Sequence, residues 1–249
     1  MEKPPGREKS RVDLLLVERG LVPSRERARA LILAGRVLVR EQKVDKPGTA
    51  VPEDSPIRLL GEEQPYVSRG GLKLAEALRH WQIPVTGRGC LDVGASTGGF
   101  TDCLLQHGAA RVHAIDTGTG QIDWRLRGDP RVVLHEGFNA RHLELADLGE
   151  PVDLAVCDVS FISATMIIPA MVRVLKPETG RMVVLVKPQF EVAREQVGKG
   201  GIVREPSLHE AACARVRMCV EESSFTTDIM DSPITGAEGN KEFLLYARR

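Results

Sequence analysis

One ten-residue stretch restricts this chain more than any other: Leu91-Asp92-Val93-Gly94-Ala95-Ser96-Thr97-Gly98-Gly99-Phe100. An apolar run ends in a Gly-x-x-x-Gly-Gly turn and passes directly into a helical pattern. A strand therefore hands over to a helix through a turn that presents backbone to its surroundings. The same alternation continues downstream, with strands predicted at 90–93, 111–115, 132–135, 154–157, 182–186, 226–230 and 243–246 and helical stretches between most of them. Alternation of this kind predicts an α/β fold, a Rossmann-like mostly parallel seven-stranded sheet covered on both faces. Ligands then bind at the carboxyl ends of the strands.

The turn itself narrows the ligand. The helix that begins after Gly98 offers free N–H groups to an anion such as a carboxylate. Asp116 falls at the end of the second strand, 22 residues beyond Gly94, where an acid can accept both hydroxyls of a ribose. A plain tight connection is one reading. A dinucleotide site would carry Gly-x-Gly-x-x-Gly, and a phosphate-binding P-loop would continue into Gly-Lys-Ser/Thr; neither spacing is present. S-adenosyl-L-methionine fits best, with a carboxylate for the loop, a ribose for Asp116 and no phosphate. The candidate cofactor contacts are Gly94, Ala95, Ser96, Thr97, Gly98, Gly99, Phe100 and Asp116. Asn139, just past the third strand, is placed to reach an adenine edge, although a single polar loop residue serves structure equally well.

Charge separates the N-terminus from this domain. The chain balances 34 Lys+Arg against 34 Asp+Glu, yet residues 1–49 hold 12 basic and 7 acidic side chains. The first ten residues read as a short disordered tail. From Arg11 a compact pattern follows: Val12, Leu15 and Leu16 on one helical face, a stop at Gly20, then a second helix from the N-cap Ser24 to Gly35. A strand at 36–40, a Pro47-Gly48 turn and a strand at 57–60 complete the module, and 61–67 reads as a linker. Arg25 and Arg29 lie one turn apart, with Arg36 following. They form either an ordinary solvated face or a set of phosphate contacts. Residues 1–65 contain no Phe, Tyr or Trp, so an RNA ligand here would be read through backbone and shape.

Several classes are disfavoured. The longest uncharged run, residues 159–172, spans 14 residues and contains Ser, Thr and Pro, too short to cross a membrane. Five cysteines form no CxxC pair, which fits a reducing cytoplasm. No His/Cys ligand cluster suggests a metal. The oligomeric state is open, with a monomer favoured.

The acceptor side shows at the later strand ends. The fourth strand runs into Cys157-Asp158-Val159-Ser160, without the Asp/Asn-Pro-Pro-Tyr/Phe pattern common in amino-group methyltransferases. Cys157 suggests a nucleophile, but it points away from Asp158 and reads better as a core thiol. The fifth strand ends at Lys187, and Glu242 opens the last strand. Lys73 lies on the helix entering the domain. Each alone passes for an ordinary surface residue. Together they suit methylation of a ribose 2′-hydroxyl, a poor nucleophile that must lose its proton: a lysine beside another lysine releases protons more readily, and carboxylates orient both.

Two resemblances extend this reading. Arg11-x-Asp13, Ser24-Arg25, Ala28-Arg29 and Gly35-x-Val37 resemble the alpha-L RNA-binding domain of a small-subunit ribosomal protein, pseudouridine synthases and tyrosyl-tRNA synthetases. This similarity favours RNA contacts by Arg11, Arg25, Arg29 and Arg36. DVGASTGGFTD, CDVSFIS, LVKPQFE, KGGIVREP and SPITGAEGNKEFLL are similar to the TlyA family, so-called haemolysins that are ribosomal RNA 2′-O-methyltransferases. The resemblance implies a class I, FtsJ-type catalytic domain over 68–249 and an RNA-binding domain over 11–60. It also implies a catalytic Lys73, Asp158, Lys187, Glu242 tetrad and S-adenosyl-L-methionine as cofactor. The implied partner is rRNA within ribosomal subunits, methylated at cytidines of the large and, in some members, also the small subunit. Gln64-Pro65-Tyr66-Val67 replaces an Arg-x-Trp-Val segment of some relatives, which leaves target choice open. The competing classes are an RNA-binding assembly factor with an inactive methyltransferase fold, a membrane-lytic protein and, more distantly, an NAD-dependent oxidoreductase.

Overall fold

A computed structural model describes residues 9–60, 65–236 and 239–249. The chain divides into two compact units, Met1–Glu63 and Gln64–Arg249. Residues 1–8 of the expected tail and 61–64 of the expected linker lie outside the described residues.

The first unit begins with β1 (Lys9–Arg11), two residues earlier than the sequence pattern suggests, because β1 pairs antiparallel with β4 (Ala50–Pro52). Between them come α1 (Val12–Glu18), α2 (Arg25–Leu33), β2 (Val37–Val39) and β3 (Gln42–Val44); β5 (Ile57–Leu59) closes the unit, and β2 lies between β3 and β5, antiparallel to both. Val12, Leu15 and Leu16 of α1 and Ala28, Leu31 and Ile32 of α2 share one core with Val37, Val39, Val44 and Val51. Ser24 caps α2, its hydroxyl accepting the Arg27 N–H at 3.2 Å.

One buried carboxylate organises the charge of this unit. Asp13 is wholly buried and accepts Nε and Nη2 of Arg11 at 2.9 Å each, and Nε of Arg25 at 3.0 Å. Hydrogen bonding from Arg11, ahead of that from Arg25, holds the Asp13 carboxyl down to about 2 although burial pushes the other way. Arg11 and Arg25 thus serve the fold before they serve any ligand, because a buried carboxylate must be paired. Both remain about half exposed. Arg29 is exposed on α2, and Arg36, partly buried, donates Nε to the Leu60 carbonyl at 2.9 Å.

The second unit contains α3 (Gly70–His80), β6 (Gly89–Val93), α4 (Gly99–Gln106), β7 (Arg111–Asp116), α5 (Trp124–Arg127), β8 (Val132–Glu136), α6 (Leu145–Leu148), β9 (Leu154–Cys157), α7 (Ile168–Val174), β10 (Arg181–Val186), α8 (Pro188–Glu191), α9 (Pro206–Glu221), β11 (Thr226–Asp231) and β12 (Phe243–Arg248). All seven predicted strands are present, in the order β11-β12-β10-β9-β6-β7-β8. Neighbours from β10 to β8 run parallel, and only β12 runs against the rest.

Alternation along these strands feeds two cores. Leu91, Val93, Ala155, Cys157, Met182, Val184, Val186, Leu245 and Ala247 pack with α7 and α9 on one face. Cys90, Leu154, Val156, Val183, Leu185, Leu244 and Tyr246 pack with α3 and α4 on the other. Cys157 is accordingly a core thiol, pushed up to about 12 by burial, and not a nucleophile.

Candidate active site

Continuing the strand alternation by one step builds the site. Asp158 lies two residues beyond Val156, Lys187 two beyond Leu185, and Glu242 two before Leu244; Val156, Leu185 and Leu244 all face α3 and α4. Side chains two apart share a face, so three charged groups meet on that face at one end of the sheet. Because β12 runs antiparallel to β10 with Val186 opposite Phe243, the start of β12 and the end of β10 lie at the same edge. α3 packs over this face and supplies Lys73 beside the buried Leu74.

The four residues form two ion pairs. Lys73 Nζ donates to Glu242 Oε2 at 2.5 Å, both side chains almost fully buried. Lys187 Nζ lies 2.6 Å from Asp158 Oδ1 and donates to Ser160 Oγ at 2.8 Å. The Asp158–Lys187 contact is an ion pair without a well-angled hydrogen bond, as Asp158 Oδ1 has no hydrogen-bond partner. Two ammoniums and two carboxylates cancel, which is what permits so much charge at so little exposure. The two carboxylates that the sequence assigns to orienting the lysines are divided one to each.

The glycine turn lies against this cluster. The chain leaves β6 towards β7, while β9 enters on the other side of β6, so Gly94 sits where the strand order reverses. Its φ is +84°, and a Cβ there would fall 2.6 Å from the Asp158 carbonyl oxygen; only glycine lets the turn cross the end of β9. Gly98, at φ +97°, caps α4. Asp116 accepts the Ser96 N–H at 2.8 Å and the Gly118 N–H at 2.7 Å, bracing the turn from the end of β7.

A cleft of about 500 Å³ opens at this point. Of the sequence-predicted residues, Gly94, Ala95, Ser96, Thr97, Gly99, Phe100, Lys73, Asp158 and Lys187 line it; Gly98, Asp116, Asn139 and Glu242 do not. Gly98 is turned against Leu126 and Ile122, and Glu242 stands behind Lys73. Asn139 caps a short turn, accepting the Arg141 N–H at 3.2 Å, the structural role that its sequence position also allowed.

Sequence reasoning missed four features. Ser160 holds Lys187, yet an isolated serine carries no signal. Gly236 lines the cleft, and a Cβ on it would meet Glu242 Oε1 at 2.0 Å. Asp92, inside the motif but unassigned, is fully buried and accepts Thr101 Oγ1 at 2.6 Å; burial pushes its carboxyl up to about 7. Phe161, one residue past Ser160, is 92% exposed at φ +66°, with the Phe190 ring 5.5 Å away. An aromatic ring left in water at a cleft edge is a stacking surface. Among the described residues no cluster of three or more His, Cys, Asp or Glu could hold a metal ion, and no helix is long and apolar enough to cross a membrane.

Comparison with known proteins agrees with this geometry. Residues 66–249 match the FtsJ-like methyltransferase family and residues 10–57 match the S4 domain. The 16S/23S rRNA (cytidine-2′-O)-methyltransferase TlyA of Mycobacterium tuberculosis is 45% identical over 242 residues, covering 96% of this chain and 90% of that one. Hemolysin A of Brachyspira hyodysenteriae is 40% identical, covering 95% and 98%. The solved structure of a protein named as a hemolysin from Streptococcus thermophilus superimposes with a TM-score of 0.74 at 43% identity, covering 98% of this chain and 90% of that one.

Proposed function

Because this chain belongs to the TlyA family, an FtsJ-like methyltransferase domain joined to an S4 domain, we propose that it methylates a ribose 2′-hydroxyl. Its substrate on this reading is a cytidine of ribosomal RNA within ribosomal subunits, in the cytoplasm. The observation that carries the reading is the convergence of Lys73, Asp158, Lys187 and Glu242 on one face of the sheet beside the glycine turn.

The residues present suit S-adenosyl-L-methionine. In the 94–97 turn the Gly94 and Ala95 N–H groups are spent on the Ile115 carbonyl and that of Ser96 on Asp116, so the Thr97 N–H and the start of α4 are what the turn offers a carboxylate. Asp116 has about four acceptor positions, two of them taken by Ser96 and Gly118, which leaves room for ribose hydroxyls. When bound, the cofactor supplies a methyl group on a positively charged sulfur. The chain's own residues do the rest. Lys187, lining the cleft between Asp158 and Ser160, first gives up one ammonium proton to solvent; the resulting amine takes the proton of the attacking hydroxyl, and Asp158 stabilises the ammonium that is restored. Lys73, fixed by Glu242, forms the opposite wall and orients the ribose. Positioning of oxygen and methyl group in line supplies the larger part of the acceleration. The S4 domain adds affinity through Arg11, Arg25, Arg29 and Arg36, the first two held in fixed orientation by Asp13.

The test is methyl transfer from labelled S-adenosyl-L-methionine to separated, unmodified large and small subunits. The expected label maps to a 2′-O-methyl ribose. Lys187→Ala abolishes it while cofactor affinity stays near normal; equal loss of both would remove Lys187 from its assigned role.

A further inference from the structure

A glycine hairpin outside the cleft is tied to the tetrad by one buried amide. Gly198 and Ile202 pair across Lys199-Gly200-Gly201, with the Gly198 N–H donating to the Ile202 carbonyl at 3.0 Å. Residues 198–201 are exposed, with Lys199 within this tip. Gly200 and Gly201 adopt φ of +79° and +75°, so the tip follows a path that side chains resist. At its base the hairpin is bolted down. Asn240, 3% exposed, donates Nδ2 to the Gly201 carbonyl at 2.9 Å and accepts the Val203 N–H at 3.1 Å through Oδ1.

The connection continues inward. The Asn240 carbonyl accepts the Gly236 N–H at 2.9 Å. Gly236 lies directly against the Glu242 carboxylate, and Glu242 holds Lys73 at 2.5 Å. A single chain of contacts therefore runs from an exposed, lysine-bearing tip to a buried ion pair at the cleft. An exposed backbone hairpin with Lys199 at its tip and the Arg204 guanidinium beside Gly198 suits a phosphate of a polynucleotide better than a base edge.

We propose that the Gly198–Ile202 hairpin clasps the backbone of the acceptor strand and that Asn240 is the positioning residue linking its seating to the Glu242–Lys73 pair. The inference rests on the reading that RNA is the acceptor, and the two fail differently. Wild-type protein that leaves both subunits unlabelled defeats the RNA reading before any variant is made.

With active wild type, three variants test the clasp in the full-length protein: Lys199→Ala, Asn240→Ala and the double variant. Lys199→Ala is expected to raise KM for the subunit several-fold at unchanged kcat, and to lower the slope of log affinity against log salt by about 0.7–0.9, the loss of one phosphate contact. Asn240→Ala is expected to lower kcat about tenfold, part of the roughly 100-fold cost of a full ångström of misplacement, with cofactor Kd nearly unchanged and Tm lowered by only the few degrees that the orphaned Val203 N–H accounts for. On a shared path the KM effects are not additive: with the Asn240 tie removed, adding Lys199→Ala raises KM for the subunit by less than it does in the wild type. An unchanged KM and salt slope in Lys199→Ala overturns the clasp. A loss of Tm and cofactor affinity that accounts for the whole deficit in Asn240→Ala makes it a structural brace and overturns the link.

Discussion

Gly236→Ala is a sharp test of the tetrad because the perturbation is one methyl group aimed at one carboxylate. The φ of Gly236 is not among the positive values, so alanine meets no backbone penalty there. Its Cβ would lie 2.0 Å from Glu242 Oε1 and 2.6 Å from Cδ, where ordinary contact needs about 3.4 Å or more. The carboxylate must therefore retreat by over an ångström, and its 2.5 Å bond to Lys73 Nζ cannot survive unchanged. Misplacement of that size costs on the order of 100-fold in rate. We expect kcat for methyl transfer to fall by about that factor. Calorimetric Kd for the cofactor should change by less than about threefold, because the 94–97 turn and Asp116 brace each other without Gly236. The partner variant Glu242→Ala removes the atom being struck, so Gly236→Ala added to it should do no further harm. Wild-type kcat in Gly236→Ala, or additive losses in the double variant, would refute the placement of Glu242 behind Lys73.

Three further outcomes follow from the burial pattern. Asp13→Asn should cost the N-terminal unit about 1.5–3 kcal/mol, the worth of hydrogen bonds to a charged group. In the parent protein the Asp13 contribution is present above the usual carboxylate range and disappears as pH falls from about 4 towards about 2, visible as acid unfolding by circular dichroism. Asp92 runs the other way: with its folded value raised to about 7, it binds its proton more tightly in the folded state, and stability falls as pH rises from about 4 to 7. Asp92→Asn keeps an acceptor for Thr101 and should flatten that decline in Tm-against-pH scans; a parallel decline would exclude Asp92 as its source. Phe161→Ala, at an exposed and conformationally strained position, should leave Tm unchanged or raise it. RNA affinity should weaken by roughly 5- to 150-fold, corresponding to about 1–3 kcal/mol per stacked base.

How much of this was legible in the sequence depends on range. The seven strands of the second unit were legible because runs such as Met182–Val186 are buried on both faces, so apolar identity alone marks them. β1, β3 and β4 were not, since three residues give no usable alternation; β1 and β4 moreover pair across 41 residues, as Ser10 with Val51, while β3 is a short hairpin partner of β2. Asp158, Lys187 and Glu242 were legible as charged residues at strand ends, Lys73 only as a lysine on the entering helix, and the turn as a spacing. The tetrad's pairing was not, because whether Lys73 meets Glu242 or Asp158 depends on how α3 lies over the sheet. Gly236 was invisible for the same reason: a glycine announces a missing side chain but not which carboxylate fills the gap.

The dependence of the chemistry on register goes further than the four residues. Asp158, Lys187 and Glu242 share a face only because each is an even step from a residue buried under α3 and α4. A slip of one residue in β9 or β10 would carry its charge into the opposite core, among Met171, Val174 and Val216, where an unpaired charge costs several kcal/mol. The same slip would expose an apolar side chain at the cleft. Packing therefore enforces the register that the chemistry needs: Val93 opposite Cys157 and Val186 opposite Phe243 fix the strand ends through ordinary core burial. The site can carry two ion pairs at little exposure because its geometry is held by apolar contacts one residue further in. A core substitution there, in a side chain that does not line the cleft, should accordingly be felt first in kcat and only later in stability.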